Sequence, residues 1–218
     1  MLNRFDRLSA LVTGVLAVAL WIAGIIVGQG LTDHLANDAS DAQVLAWVHH
    51  NQTLIIVGSW LFATGCLAFI WFAGVLRTRL AATETDNHTL STIAYGGAVA
   101  AGVFGIGTQA DLASAINSSE LTAATERVFH HLGDLFFVGA ELALMLPLAV
   151  VAILAFRTAA LPRWWGVFSG LIAVVLWIGP IGWAALIFGT PIWVLGTTIL
   201  LVRSPRTRQA PVVAAATA

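Results

Sequence analysis

The chain has no lysine, and all ten of its basic residues are arginines. That excludes any mechanism that needs a lysine Schiff base, a retinal pigment included. Cysteine is almost missing too. Cys66 stands alone in an apolar run, so no intrachain disulfide can form and the residue reads as a small packing group. Charge of either sign is scarce: 10% of the 218 residues are charged, against about a quarter in a soluble domain. A net charge of −1 without a basic cluster excludes nucleic acid as a partner, because phosphate neutralisation needs clustered cations. What the chain does have is apolar surface, with 59% hydrophobic residues and a mean hydropathy of +0.89. So few polar groups cannot cover a fold in water, and lipid must be most of its surroundings.

A membrane crossing needs about 20 mostly apolar residues. Six such stretches are expected, near Leu11–Leu31, Leu54–Leu76, Leu90–Gln109, Leu132–Phe156, Trp164–Gly179 and Trp183–Val202. The first is longer than a signal-peptide core and lacks a convincing cleavage site, so it reads as a retained span. The last two share one uncharged run, Trp164 to Val202. That run is too long for one crossing, and Gly179-Pro180-Ile181-Gly182 offers the turn that divides it. A rival turn at Gly189-Thr190-Pro191 leaves too little chain for a second crossing, and five spans are the alternative count.

Nine of the ten arginines then fall on one side, and only Arg127 on the other. The positive-inside rule makes the arginine-rich side cytoplasmic, which places both termini there. The expected fold is therefore all-α: one polytopic transmembrane helical domain over residues 1–203, N-in and C-in, in the cell inner (plasma) membrane. Residues 204–218 read as a disordered cytoplasmic tail. The outer loops carry acids, Asp33, Asp38 and Asp41 in one and Asp111, Glu120 and Glu126 in the other. Each loop is expected to hold a lead-in helix that runs into the next span, the first capped by Ser40 with Gln43, the second by Ser119.

Sliding the chain by 81 residues brings His49-His50 onto His130-His131, and Leu54, Val57, Gly58, Leu61, Leu67 and Ala68 onto identical residues. This pattern suggests a parallel two-helix duplication. Gly97, Ala101 and Gly105 recur at every fourth position, as do Gly24 and Gly28, which suits close helix packing and puts the third span near the centre. Trp47, Trp164, Trp165 and Trp183 lie at expected boundaries and read as interfacial anchors.

The segments FIWFAGVLR (69–77), LPRWWG (161–166) and PIWVLG (191–196) resemble a group of polytopic, about six-span membrane proteins common in actinobacteria. The resemblance covers roughly residues 45–202 and rests mostly on boundary and packing residues. It implies a compact helical bundle in a bacterial inner membrane. No activity is established for that group, so the resemblance contributes no catalytic residues.

Candidate chemistry gathers on the outer side, since the inner side offers only Glu84, Asp86 and His88 beside the arginines. Glu141 is the sharpest candidate, two turns inside the fourth span on the face of Asp134 and His130, with Pro147 six residues on. A carboxylate at membrane depth costs about 2.5–3.5 kcal/mol on insertion scales and so usually faces the bundle or a wet cavity. Its bland reading is a packed or snorkelling acid. Glu141, Asp134, Asp111 and Gln109 are the ligand- or proton-binding candidates. His130 and Asp134 could share a metal with His49, His50, His131 or Asp111, and histidines from the second and fourth spans could hold a haem. The plainer reading is interfacial histidines beside a first-turn acid, and His34 and His88 read as solvated loop residues.

Three functions compete. The favoured one is a binding or transport module holding a small molecule, lipid or proton in an outward cavity around Glu141. The second is a membrane enzyme at the outer leaflet, dependent on metal, haem or acid–base chemistry. The third is an accessory or structural subunit without chemistry of its own. The bilayer is the first partner in each case, and six spans make a small transporter unless the chain pairs with a second copy or another membrane protein.

Overall fold

The computed structural model describes residues 3–33, 35, 36, 38–85, 87–158 and 160–203; the tail at 204–218, His34 and Asp86 lie outside them. Of the described residues 85% are helical, and none lies in a strand. In chain order the helices are α1 (Arg4–Ile25), α2 (Asp41–Ala81), α3 (Thr89–Gly107), α4 (Asp111–Ile116), α5 (Ala123–Arg157), α6 (Arg163–Trp177), α7 (Gly179–Ala184) and α8 (Thr190–Arg203). Two π-helical turns extend this framework, Ile26–Gly30 after α1 and Ala185–Gly189 before α8.

Local chemistry explains where these helices start. Asn3 Oδ1 accepts from the Asp6 amide at 2.8 Å, and Asp6 Oδ2 accepts from the Asn3 amide at 3.2 Å, a reciprocal cap on α1. Gln43 Oε1 accepts from the Ser40 amide at 2.8 Å, so the expected first lead-in helix is present. As expected, it runs on into the membrane stretch, giving the 41 residues of α2. The second lead-in helix begins three residues later than Ser119 suggests. Thr122 is the cap, its hydroxyl accepting from the Thr125 amide at 3.1 Å, and α5 runs on unbroken for 35 residues. At the other end Glu84 closes α3, accepting from the amides of Leu90 at 3.2 Å and Ser91 at 2.7 Å. A carboxylate there also offsets the positive end of the helix dipole.

Among the described residues five helical stretches are long and apolar enough to cross a membrane: Arg4–Gly30, Asp41–Ala81, Thr89–Ile116, Ala123–Arg157 and Ile181–Arg203. α6 is apolar but has 15 residues, about 22 Å of rise, short of a full hydrocarbon core. The chain breaks at Ile178 (φ −88°, ψ 85°), where the Gly179-Pro180 turn was expected. At Gly189-Thr190-Pro191 the helix instead continues. Pro191 has no N–H to offer the Ile187 carbonyl, and the ladder widens to π spacing just before it.

Small residues set the helix contacts. The π turn that extends α1 meets α2 where Gly28 faces Gly58, and a Cβ added at Gly58 would lie 2.5 Å from the Gly28 Cα. Gly97, Ala101 and Gly105 are buried along α3, which packs between α2 and α5. The core includes Phe72, Leu148, Leu176, Trp193 and Leu201, while Leu67, Leu135, Leu142, Leu171 and Trp177 face outward. Trp164 is exposed, whereas Trp165, 100° round the same helix, is buried and donates to Thr197 Oγ1 at 3.0 Å. Trp165 is thus a packing residue and not the expected anchor.

Hydrogen bonds tie the arginine-rich ends together. Arg7 donates to the Val202 carbonyl at 3.4 Å, joining α1 to α8, and Arg79 to the Ala160 carbonyl at 3.3 Å, joining α2 to the α5–α6 link. At the opposite end Arg127 pairs with Asp41 at 2.8 Å, and Gln52 donates to the Ala115 carbonyl at 2.7 Å.

Candidate functional site

Between α1, α2, α3, α5 and the start of α8 lies a cavity of about 930 Å³. Its deep wall is apolar, with Trp21, Phe62, Phe69, Phe137 and Leu144; Cys66 is there too, its sulfur accepting from Trp21 Nε1 at 3.4 Å. Its wall at the arginine-poor end is polar. Asp33, Gln109, Asp111, Glu126, Arg127, His130, His131 and Asp134 all contribute. A volume of this size matches the upper range of small-molecule sites.

Of the residues singled out in the sequence, Gln109, Asp111, His130, His131 and Asp134 stand in this wall. His130 Nδ1 lies 3.5 Å from Asp111 Oδ2, so α5 and the short α4 meet through this pair. His131 and Asp134 are 3.9 Å apart and largely exposed. Gln109 donates to its neighbour Thr108 Oγ1 at 2.8 Å. His50 lies 3.4 Å from Asp33 on the exposed rim, and His49 is exposed and outside the wall. Among the described residues no three His, Cys, Asp or Glu gather closely enough to hold a metal ion, so the metal candidates stay as separate pairs.

Glu141 is buried, at 6% exposure, but is not part of the cavity wall. Its carboxylate faces α7, where a Cβ added at Gly182 would lie 3.1 Å from Oε1. Helix geometry explains the difference. Deep in the cavity the α5 wall narrows to the stripe Gly133, Phe137, Ala140 and Leu144. At about 100° per residue Glu141 projects roughly 70° to one side of that stripe. Of His49, Asp111, His130, Asp134 and Glu141, the structure therefore brings together Asp111 and His130, with Asp134 within electrostatic reach.

No protein-family model, curated protein or solved structure matches this chain.

The geometry of the site adds residues the sequence reading passed over. Glu126 is 4% exposed and Ser114 1%, both beside Asp111 where α4 packs on α5. The periodic signal was there, since Glu126, His130 and Asp134 follow each other at four-residue steps along one helix face. Asn51, 2% exposed, organises the rim by accepting from the Asp33 amide at 3.4 Å and donating to the Trp47 carbonyl at 3.0 Å. Trp47 Nε1 in turn donates to the Asp33 carbonyl at 2.6 Å.

Proposed function

We propose that this chain is a membrane-embedded binding module, with or without a transport step, that holds a small amphipathic or lipid-like molecule in the cavity. The observation that carries the reading is the polarity gradient of that cavity: aromatic and aliphatic in its depth, acidic and hydrogen-bonding at the arginine-poor end. An open volume of this size left between helices is poorly used by packing, which elsewhere in proteins runs close to crystal density. In the six-crossing, N-in and C-in arrangement that the arginines favour, the acidic mouth opens to the exterior. The proposal assigns binding to Asp111, Gln109 and Asp134 together with Glu126. It gives Glu141 a separate place at the α5–α7 contact.

Native mass spectrometry of detergent-purified protein tests it. The wild type should carry a stoichiometric adduct in the range of small lipids or metabolites. Ala140→Phe, which adds bulk at a buried position in the cavity wall, should lose most of that adduct, while Glu141→Gln should keep it. A wild type that flies only as the bare chain overturns the reading.

A further inference from the structure

We infer that the acid-lined end of the cavity is a subsite for a primary ammonium carried on an apolar chain. The inference rests on the binding-module reading and names the chemistry of its occupant. Three oxygens, Asp111 Oδ1, Ser114 Oγ and Glu126 Oε2, are shut off from solvent and complete no hydrogen bond among the described residues. Both carboxylates stand in the cavity wall, and the Glu126 side chain is nine-tenths buried and more. Buried polar groups are seldom left unpaired, and an unpaired carboxylate is the costliest kind, so this group is short of donors.

Among the described residues the protein supplies one donor at most, the Ser114 hydroxyl beside Glu126, and a single proton cannot satisfy two carboxylates. The Arg127 guanidinium is held by Asp41 at 2.8 Å and by the Ala39 carbonyl at 3.2 Å. His130 reaches Asp111 through the other oxygen, Oδ2, at 3.5 Å. Asp33, Asp111, Glu126 and Asp134 oppose that one guanidinium in the wall, with His130 and His131 beside them. His50 answers Asp33 from the rim, and His131 answers Asp134. The excess negative charge selects a cation, and the orphaned acceptors select one with N–H groups. A primary ammonium carries three such donors and a quaternary ammonium none. A divalent metal suits the site less, because no three-ligand group is assembled among the described residues. Phe62, Phe69, Phe137 and Leu144 continue inward from the acids and offer the apolar chain its wall.

The test is calorimetric titration of purified protein in phosphatidylcholine nanodiscs, with empty discs as blank. The probes are dodecylammonium, dodecyltrimethylammonium and dodecanol. Dodecylammonium should bind at least about tenfold more tightly than the other two, the range expected for hydrogen bonds to charged groups. Glu126→Gln, checked for monodisperse elution, should reduce that preference to about threefold or less. Equal binding of all three probes to the wild type overturns the ammonium subsite and leaves the binding-module reading standing. Binding of none of them overturns both. Repeating the titration in discs containing phosphatidylethanolamine separates the two sources of this chemistry. Competition identifies an aminolipid headgroup and its absence a free amphipathic amine, and either result upholds the subsite.

Discussion

At the scale of single residues, the interior of the α6–α8 contact depends on three hydrogen bonds among four buried residues. Trp193 donates to Ser169 Oγ at 2.9 Å, Ser169 donates to the Trp165 carbonyl at 2.8 Å, and Trp165 donates to Thr197. Ser169→Ala leaves the Trp193 N–H without a partner in a site of 1% exposure. We expect a loss of about 1–2 kcal/mol, read from unfolding in mixed detergent micelles. No measurable change would mean that the indole finds another acceptor. None of this chain was legible in the sequence, where Trp164 and Trp165 look alike and both look like anchors. Periodicity could have separated them only with the neighbouring helix in place. Glu126 was hidden for a similar reason. An acid ahead of a span looks solvated until α4 folds over it.

At the scale of elements, small residues decide how closely the helices approach, and neighbouring glycines differ sharply. A Cβ at Gly97 would lie 2.6 Å from Leu146 Cβ and 2.9 Å from both the Ala143 carbonyl and Pro147 Cδ, whereas one at Gly96 meets nothing within 4 Å. Gly97→Ala should therefore cost about 1–3 kcal/mol by pushing α3 off α5. Gly96→Ala should be neutral or stabilising by up to about 1 kcal/mol through helix propensity. Thermal inactivation midpoints of the two variants, measured side by side, check the contrast. Equal effects would sink the claim that α3 is clamped against α5 at Gly97. The four-residue spacing through Gly97, Ala101 and Gly105 pointed to close packing and to Gly97 over Gly96, but it could not say which helix is the partner. Helix ends were readable where a cap is local, as at Ser40 and Gln43, and misplaced at Ser119, where Thr122 has the better geometry.

At the scale of the whole molecule, the unequal distribution of arginine sets the expected orientation, and the short α6 leaves the parity of the crossings to be measured. A reporter inserted in the α5–α6 link near Leu161 and another fused after Val202 should both report the cytoplasm, because α6 and the α7–α8 stretch together return the chain to its starting side. Opposite answers would reduce that segment to a single crossing and exclude the six-crossing arrangement. The acidic mouth of the cavity lies at the end that holds Arg127 and Asp41, so the same experiment decides which compartment the cavity faces.

The amino-acid sequence alone determined the solvent of this protein, its helical class and the asymmetry of its charge. Those properties sum over many residues, and no neighbour can reverse them. The cavity, the separation of Glu141 from it and the unpartnered oxygens of Asp111, Ser114 and Glu126 were decided only by the tertiary structure. The reason is that a helix fixes which residues share a face, but the helices packed around it decide whether that face meets lipid, a neighbour or an empty space.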